Sequence, residues 1–353
     1  MEIYGEIKRI EYKPFLNKPL ARYTIDKLDK ALSEKGSFIL RIDDKNEIAV
    51  SWWVSPKRTR SYPYARVYDT LGFTGKKVTI IPVIKDEGED GDRDFLQWDT
   101  ISLMSLLGVY VIIGYYVKAD KSSRYKNKIT KQKFDVEYIK EKIQRLLYYQ
   151  SDALHWNLEQ VDEIHSIAEK ALNFYEEISK KLGVKMHSIE SAMKRINKIY
   201  KEKEKFMKLS RELARKAQIR ESKTIQPKEH LTGIKAKITI RNYLGGYYYF
   251  TCDEVEIHGE EIYLIEAKHT NTGNLPSEGD IKDGLIKMIL YTNLQNVSVY
   301  GKRYNPVPVL KLTTKSKFDK DLIRSLRTDL IDKLKKEATY NGFKIKINDN
   351  FIV

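Results

Sequence analysis

Three residues late in the chain, Asp253, Glu266 and Lys268, are of the types and at the spacing that phosphodiester chemistry uses. They lie within Tyr247 to Thr270, YYYFTCDEVEIHGEEIYLIEAKHT. Asp253 stands at the start of one expected strand. A turn at His258-Gly259 reverses the chain, and Ile262 to Ile265 lead into Glu266-Ala267-Lys268. Asp253 and Glu266 are thirteen positions apart, a span that on a two-stranded hairpin brings the first acid beside the second. Glu266 and Lys268 are two apart on a strand and share a face, while Ala267 points the other way, into the apolar layer. Two carboxylates and one ammonium therefore converge at the end of a hairpin. They sit at the edges of nearly continuous apolar runs, where charged groups need partners.

Such a set suits metal-assisted hydrolysis of a phosphodiester. Mg²⁺ takes oxygen ligands octahedrally and keeps several waters, so one or two carboxylates and a substrate phosphate suffice to hold it. The ion offsets charge on the transition state and lowers the pKa of a bound water. A lysine among the carboxylates orients that water and counters charge beside the scissile phosphate. The bland alternative is that Glu254, Glu256, Glu260, Glu261 and Lys268 decorate the solvent face of an ordinary antiparallel hairpin.

The pattern Asp-x(12)-Glu-x-Lys, with the apolar strand YLI directly before the Glu, resembles the PD-(D/E)xK core shared by restriction endonucleases and related repair and recombination nucleases. The resemblance covers roughly Gly245 to Leu312. It implies Asp253, Glu266 and Lys268 as the acid, acid and lysine of the motif. It also implies a Mg²⁺ site, with Mn²⁺ as a substitute, made by Asp253, Glu266 and the Ala267 carbonyl. The helix expected at Asp280 to Leu294 and the strand at Val307 to Leu312 fall where that core has its next elements. Cys252 stands where the family's pattern often has proline. Glu254 and Glu256 leave the identity of the first acid open.

Two further constellations could carry function. The acidic stretch from Asp86 to Asp99 holds Asp86, Glu87, Glu89, Asp90, Asp92, Asp94 and Asp99. It has neither EF-hand spacing nor an E-x-K, and reads as a solvated loop turned by Gly88 and Gly91 more readily than as a second metal centre. In the loop SPKRTRSYPYAR, after Trp52 and Trp53, Lys57, Arg58, Arg60 and Arg66 interleave with Tyr62 and Tyr64. Arginines clasp phosphates or guanine edges and aromatics stack on bases, so these six are candidate DNA contacts. The alternative is a basic loop over an aromatic-capped core. Lys201, Lys203, Lys205 and Lys208 read as a wet helix face. No histidine has a second His or Cys at zinc spacing, and the single Cys252 excludes an internal disulfide.

The elements that must position these groups follow from periodicity. Helical spacing is expected over Leu20 to Ser33, and strands over Phe38 to Ile42, Ile48 to Val54, Val78 to Ile84 and Val109 to Val117. Between the last two lies a short helix near Thr100 to Leu107. From Ile129 to Ile219 glycine and proline nearly vanish and apolar residues recur every three or four positions, which predicts a helical hairpin or bundle. Strands then return, with helices at Asp280 to Leu294 and Asp319 to Ala338. The expected fold class is α/β (α+β), with a restriction endonuclease-like mixed sheet at the C-terminus. The expected regions are 1–128, an N-terminal α/β part that could recognise DNA, 129–225, the helical part, and 226–353, the nuclease part.

The chain of 353 residues is long enough for two or three cores, and its 41% apolar content excludes wholesale disorder. Lys and Arg outnumber Asp and Glu by 64 to 49, a net charge of +15 that argues for a polyanionic partner. No signal peptide or membrane span is visible, so a soluble cytoplasmic protein is expected. The expected function is a Mg²⁺-dependent endonuclease hydrolysing double-stranded DNA, in the manner of a type II restriction enzyme. It would work as a homodimer and be encoded beside a cognate DNA methyltransferase. The alternatives are a repair, recombination or defence nuclease without fixed sequence specificity, and a non-catalytic nucleic-acid-binding protein.

Overall fold

A computed structural model describes residues 1–57, 61–192, 194, 234–242, 247–272, 274–315, 320–348 and 350–353. The chain forms two compact units, Leu20–Glu212 and Met1–Pro19 joined with Leu213–Val353. This division differs from the expected boundaries at 128 and 225. The first strand, β1 (Glu2–Ile7), pairs with strands more than two hundred residues away, and the helices expected as a separate middle pack on the strands that precede them.

The unit Leu20–Glu212 holds a five-stranded sheet. Its strands are β2 (Arg22–Thr24), β3 (Ser37–Arg41), β4 (Glu47–Trp52), β5 (Lys77–Pro82) and, after a small hairpin of β6 (Ile84–Asp86) and β7 (Arg93–Phe95), β8 (Val109–Gly114). They lie in the order β2-β3-β4-β5-β8. The runs VTIIP and VYVIIG are apolar almost throughout, as strands with both faces covered require, and β4, β5 and β8 are parallel. The helix expected from Leu20 is replaced at its start by β2, which pairs with β3, and only α1 (Leu28–Glu34) is α-helical. The β-branched pair Thr24-Ile25 favours the extended entry.

Part of the expected basic loop is helical. In α2 (Ser61–Thr70), Tyr64, Val67 and Tyr68 recur at helical spacing and are buried, and Pro63 falls in the first turn, where its missing N–H costs nothing. After α3 (Trp98–Leu106) and β8, the expected strand to Val117 breaks at Tyr115. β9 (Tyr116–Lys121) instead pairs with β10 (Ile129–Phe134), so the segment from Ile129 opens as a strand and not a helix. Helices α4 (Val136–Leu147), α5 (Ala153–Asp162) and α6 (Ile164–Leu182) follow. Asp135 and Asp152 cap α4 and α5 by accepting from the amides of Tyr138 and His155. Gly183 ends α6 at φ 57°, a left-handed position that glycine adopts without strain. Lys201, Lys203, Lys205 and Lys208 lie outside the described residues.

The other unit is built on a nine-stranded mixed sheet containing β1, β11 (Ile234–Asn242), β12 (Tyr247–His258), β13 (Glu261–Thr270), β14 (Gln295–Val299), β15 (Lys302–Arg303), β16 (Asn305–Thr314), β17 (Lys344–Ile347) and β18 (Asn350–Phe351). The order is β15-β14-β1-β11-β12-β13-β16-β17-β18. β11, β12 and β13 form an antiparallel meander, while β13, β16 and β17 run parallel. β15 passes into β16 through Tyr304 alone. The Tyr304 amide donates to Val297 in β14 and the Asn305 amide to Glu260 at the β12–β13 turn, so the sheet curls on itself. Helix α7 (Glu278–Thr292) packs on β13 and β16, and α8 (Lys320–Asn341) leads into β17. Residues 12–16 lie against the end of α8, where the buried Glu337 carboxylate accepts from the amides of Phe15 and Leu16 and the Tyr12 hydroxyl. The molecule is thus a mixed α/β protein. Among the described residues no helix is long and apolar enough to cross a membrane.

Candidate active site

The site begins with an irregularity in β12. Ile234 of β11 faces Val255, yet Ala236 faces Cys252, so Asp253 and Glu254 together oppose one residue of β11. Such a bulge re-aims side chains. Across the other edge of β12, Glu254 is level with Ile265 of β13, which sets Asp253 beside Glu266. Alternation along β13 then puts Glu266 and Lys268 on one face and Ala267 on the other. The Ala267 amide donates to Asp253 Oδ2 at 3.0 Å. Lys268 Nζ lies 3.0 Å from Glu266 Oε1. The three residues singled out from the sequence are brought together.

Helix α7 supplies the rest. The Ser277 hydroxyl accepts from the Asp280 amide and fixes its start. Asp283 and Lys287, one turn apart, reach the strands from it. Asp283 Oδ2 is 2.5 Å from Lys268 Nζ. Lys287 Nζ is 3.4 Å from Glu266 Oε2, donates to the Thr251 carbonyl at 3.1 Å, and lies 4.8 Å from the centre of the Phe250 ring. Gly284 allows this approach. A Cβ there would come within 2.7 Å of Leu310 Cδ1 and 3.4 Å of the Lys268 side chain. Asp283 and Lys287 were not singled out from the sequence. Their spacing of four marks one helix face, but only the packed structure shows that this face meets β13.

Electrostatics separates the two acids. Burial, followed by the charge of Glu266, pushes the Asp253 carboxyl up to about 7, against the opposing pull of Lys268 and Lys287. Burial works against the Glu266 carboxylate too, but Lys287 and Lys268 outweigh it and hold this group below its usual range. Both lysines are partly buried, yet their acidic neighbours raise their pKa, Lys268 well above the ordinary value. The carboxyl of Asp253 is therefore the one whose negative charge is least compensated. A divalent cation between Asp253 and Glu266 would relieve their repulsion, and oxygen donors of this kind fit Mg²⁺. Among the described residues no cluster of three or more His, Cys, Asp or Glu forms a protein-only cage for a metal.

Glu254, the alternative first acid, takes the other side of the bulge. Its carboxylate pairs with Lys311 at 2.8 Å, and both groups are buried. Lys311 is level with Ala267 in the parallel pairing, which places this pair on the face away from Lys268. Glu256 is near the exposed His258 at 3.1 Å. The Cys252 thiol, pushed up to about 12 chiefly by burial, donates to the carbonyls of Glu254 and Ile265.

The candidate DNA contacts in the N-terminal half are placed differently. Arg58 and Arg60 lie outside the described residues. Tyr64 is 7% exposed and packs edge-on against the buried Trp53 ring at 5.3 Å. Arg66 donates to the Trp52 carbonyl at 2.8 Å and covers the rings of Trp52 and Tyr62. Tyr64 and Arg66 thus build the core side of α2. Their sequence pattern resembles a reader because aromatics and arginines serve both purposes. Lys57 is half-buried in the segment after β4, its amide donating to the Ser55 hydroxyl, which in turn donates to Asp94.

The acidic stretch forms the β6–β7 hairpin, not an open loop. Asp86 is buried, accepts from the Gly88 amide and lies 2.7 Å from His187 Nδ1. Glu87 is held by Lys85 and Lys128. Asp90 accepts from the Asn127 amide. These acids are spent on the hairpin and its neighbours. Comparison with protein-family descriptions, with curated proteins and with solved structures returned no match to this chain.

Proposed function

We propose that this chain is a Mg²⁺-dependent endonuclease of the PD-(D/E)xK type that hydrolyses double-stranded DNA, and that it works as a restriction enzyme. The observation that carries the reading is the pairing of Asp253 with Glu266, two facing carboxylates of which one is poorly compensated, with Lys268 held over Glu266. The antiparallel meander β11–β12–β13, the helix α7 and the parallel strand β16 follow one another in the order expected of such a core, which supports the reading. Asp253, Glu266 and the Ala267 carbonyl would hold the ion. When bound it would offset charge on the phosphate and supply hydroxide from a coordinated water.

The chain's own groups have separate tasks. Lys268, aligned by Asp283, keeps its proton and presents a positive charge beside Glu266, where it can donate to a phosphate oxygen or to the attacking water. Asp283 sets the position of Lys268. The net charge of +15 draws the polyanion to the protein. The described residues of a chain hold one such site, so cutting both strands takes two copies or two successive nicks.

Incubation of the purified protein with plasmid DNA and MgCl₂ tests the reading. Discrete fragments support a restriction enzyme. A smear supports a nuclease without fixed sequence specificity. DNA left intact, with a shift on a gel, overturns the enzymatic reading in favour of a binding protein.

A further inference from the structure

The site contains a second lysine that the Glu-x-Lys pattern does not account for. Asp253, Glu266 and Asp283 are three carboxylates facing two ammonium groups. The Glu266 oxygens are divided between them, Oε1 with Lys268 at 3.0 Å and Oε2 with Lys287 at 3.4 Å. The lysines differ in what else they touch. Lys268 has a second carboxylate, Asp283, at 2.5 Å. Lys287 has neutral partners, the Thr251 carbonyl at 3.1 Å and the face of Phe250 at 4.8 Å. A carbonyl and an aromatic face both stabilise a cation without neutralising it.

We infer that Lys287 is an internal counter-ion to the metal. It holds Glu266 in position while no divalent cation is bound, and it opposes that cation at the same carboxylate. The inference rests on the metal-dependent reading above. With Asp253, Glu266 and Asp283 all ionised, three negative and two positive groups leave the site one negative charge in excess. A doubly charged ion at Asp253 and Glu266 reverses that excess, and the repulsion falls on both lysines. Lys268 keeps Asp283 as its partner. Lys287 alone loses its one carboxylate contact and stays charged on the Thr251 carbonyl and the Phe250 ring. It is a positioning residue whose charge lowers the affinity for metal and keeps the empty site folded.

Calorimetric titration of the full metal-free chain with CaCl₂ and with MgCl₂ tests this. Lys287→Met should tighten binding of either ion about tenfold, because a partly buried like charge within a few ångströms is removed. The melting temperature of the metal-free variant should fall below that of the unaltered chain, and added Ca²⁺ should close the gap. Lys287→Arg, which restores the charge, should return both quantities toward their original values. Unchanged or weaker metal binding in Lys287→Met overturns the inference while leaving the nuclease reading intact. If Lys287→Met does not fold, Lys287→Gln is read in the same way, and a folding loss that Ca²⁺ does not repair also overturns it. An unaltered chain that takes up neither ion sinks both readings, which separates that failure from the first.

Discussion

With its carboxyl pushed up to about 7, mainly by burial and then by Glu266, Asp253 ties stability to pH. Its pKa in the unfolded chain is about 3.9, so between these values the native state holds a proton that the unfolded state has released. Stability of the metal-free protein should therefore be greatest below about pH 4 as far as this group is concerned, and decline as pH rises toward 7. Thermal melts from pH 5 to 8 with and without Asp253→Asn check this, since the variant should lose that part of the slope. For catalysis, Asp253→Ala and Glu266→Ala should each abolish cleavage and leave metal-free DNA binding equal or tighter, because a carboxylate beside the phosphate is removed. Lys268→Ala should abolish cleavage and weaken that binding. Full activity in Glu266→Ala or Lys268→Ala, measured on plasmid with MgCl₂, would refute the assignment. Glu256→Ala should be nearly neutral, but Glu254→Ala strands the buried Lys311 and should cost about 3–5 kcal/mol of stability in denaturant melts. Residue types and spacing alone made Asp253, Glu266 and Lys268 legible. Strand alternation also separated Ala267 from its neighbours. What spacing could not resolve was Asp253 against Glu254, because neighbours on a strand face opposite sides and only the register with β13, where Glu254 is level with Ile265, puts Asp253 on the face of Glu266.

At the scale of elements, α7 brings Asp283 and Lys287 to the strands, and Gly284 sets how closely it approaches. Gly284→Val should force Leu310 and Lys268 aside. We expect a loss of about 1–3 kcal/mol and a larger fall in cleavage than in DNA binding, read from melts and from parallel cleavage and gel-shift assays. The helix itself was legible, since its apolar spacing and the serine before it are local signals. Which of its polar residues face the site was not, because that depends on where the helix lands on β13 and β16. The same distinction explains α2. The sequence SYPYARVYDT carries aromatics and arginine that suit either a nucleic-acid surface or an aromatic core. In this structure Trp53 packs against Tyr64, and Arg66 lies over the rings of Trp52 and Tyr62, so these side chains take part in the aromatic packing around α2. β10 was hidden for another reason. Its partner β9 lies before it, and the polar run from Thr130 to Lys133 has too few apolar residues to distinguish a hairpin strand from the first turn of a helix.

For the molecule as a whole, on the proposed function, the charge of +15 should make DNA affinity depend on salt. The logarithm of the binding constant should fall linearly with the logarithm of salt concentration, with a slope equivalent to several phosphates. A flat dependence would count against a polyanionic partner. Total charge and the two ends of the candidate site were thus readable without coordinates, whereas the course of the chain was not. β1 lies between β14 and β11, and Ile3 and Ile7 are buried there. No periodicity in six residues announces a partner more than two hundred positions on. A chain that starts at Leu20 should therefore lose the ordered C-terminal unit and all cleavage, which circular dichroism and the plasmid assay would report. The placement of β1 also has a bearing on synthesis. The ribosome delivers β1 before the Leu20–Glu212 unit and its partners β11 and β14 after that unit. That intervening unit is contiguous and can complete its own sheet as it appears. The sheet that carries Asp253 and Glu266 cannot close around β1 until that whole unit and the strands β11 and β14 beyond it have left the tunnel, because β1 has no partner strand nearer in the chain. On the proposed function, a half-made chain has no cutting centre. On the same reading, the delay before any cutting could begin would be set by the order of the strands.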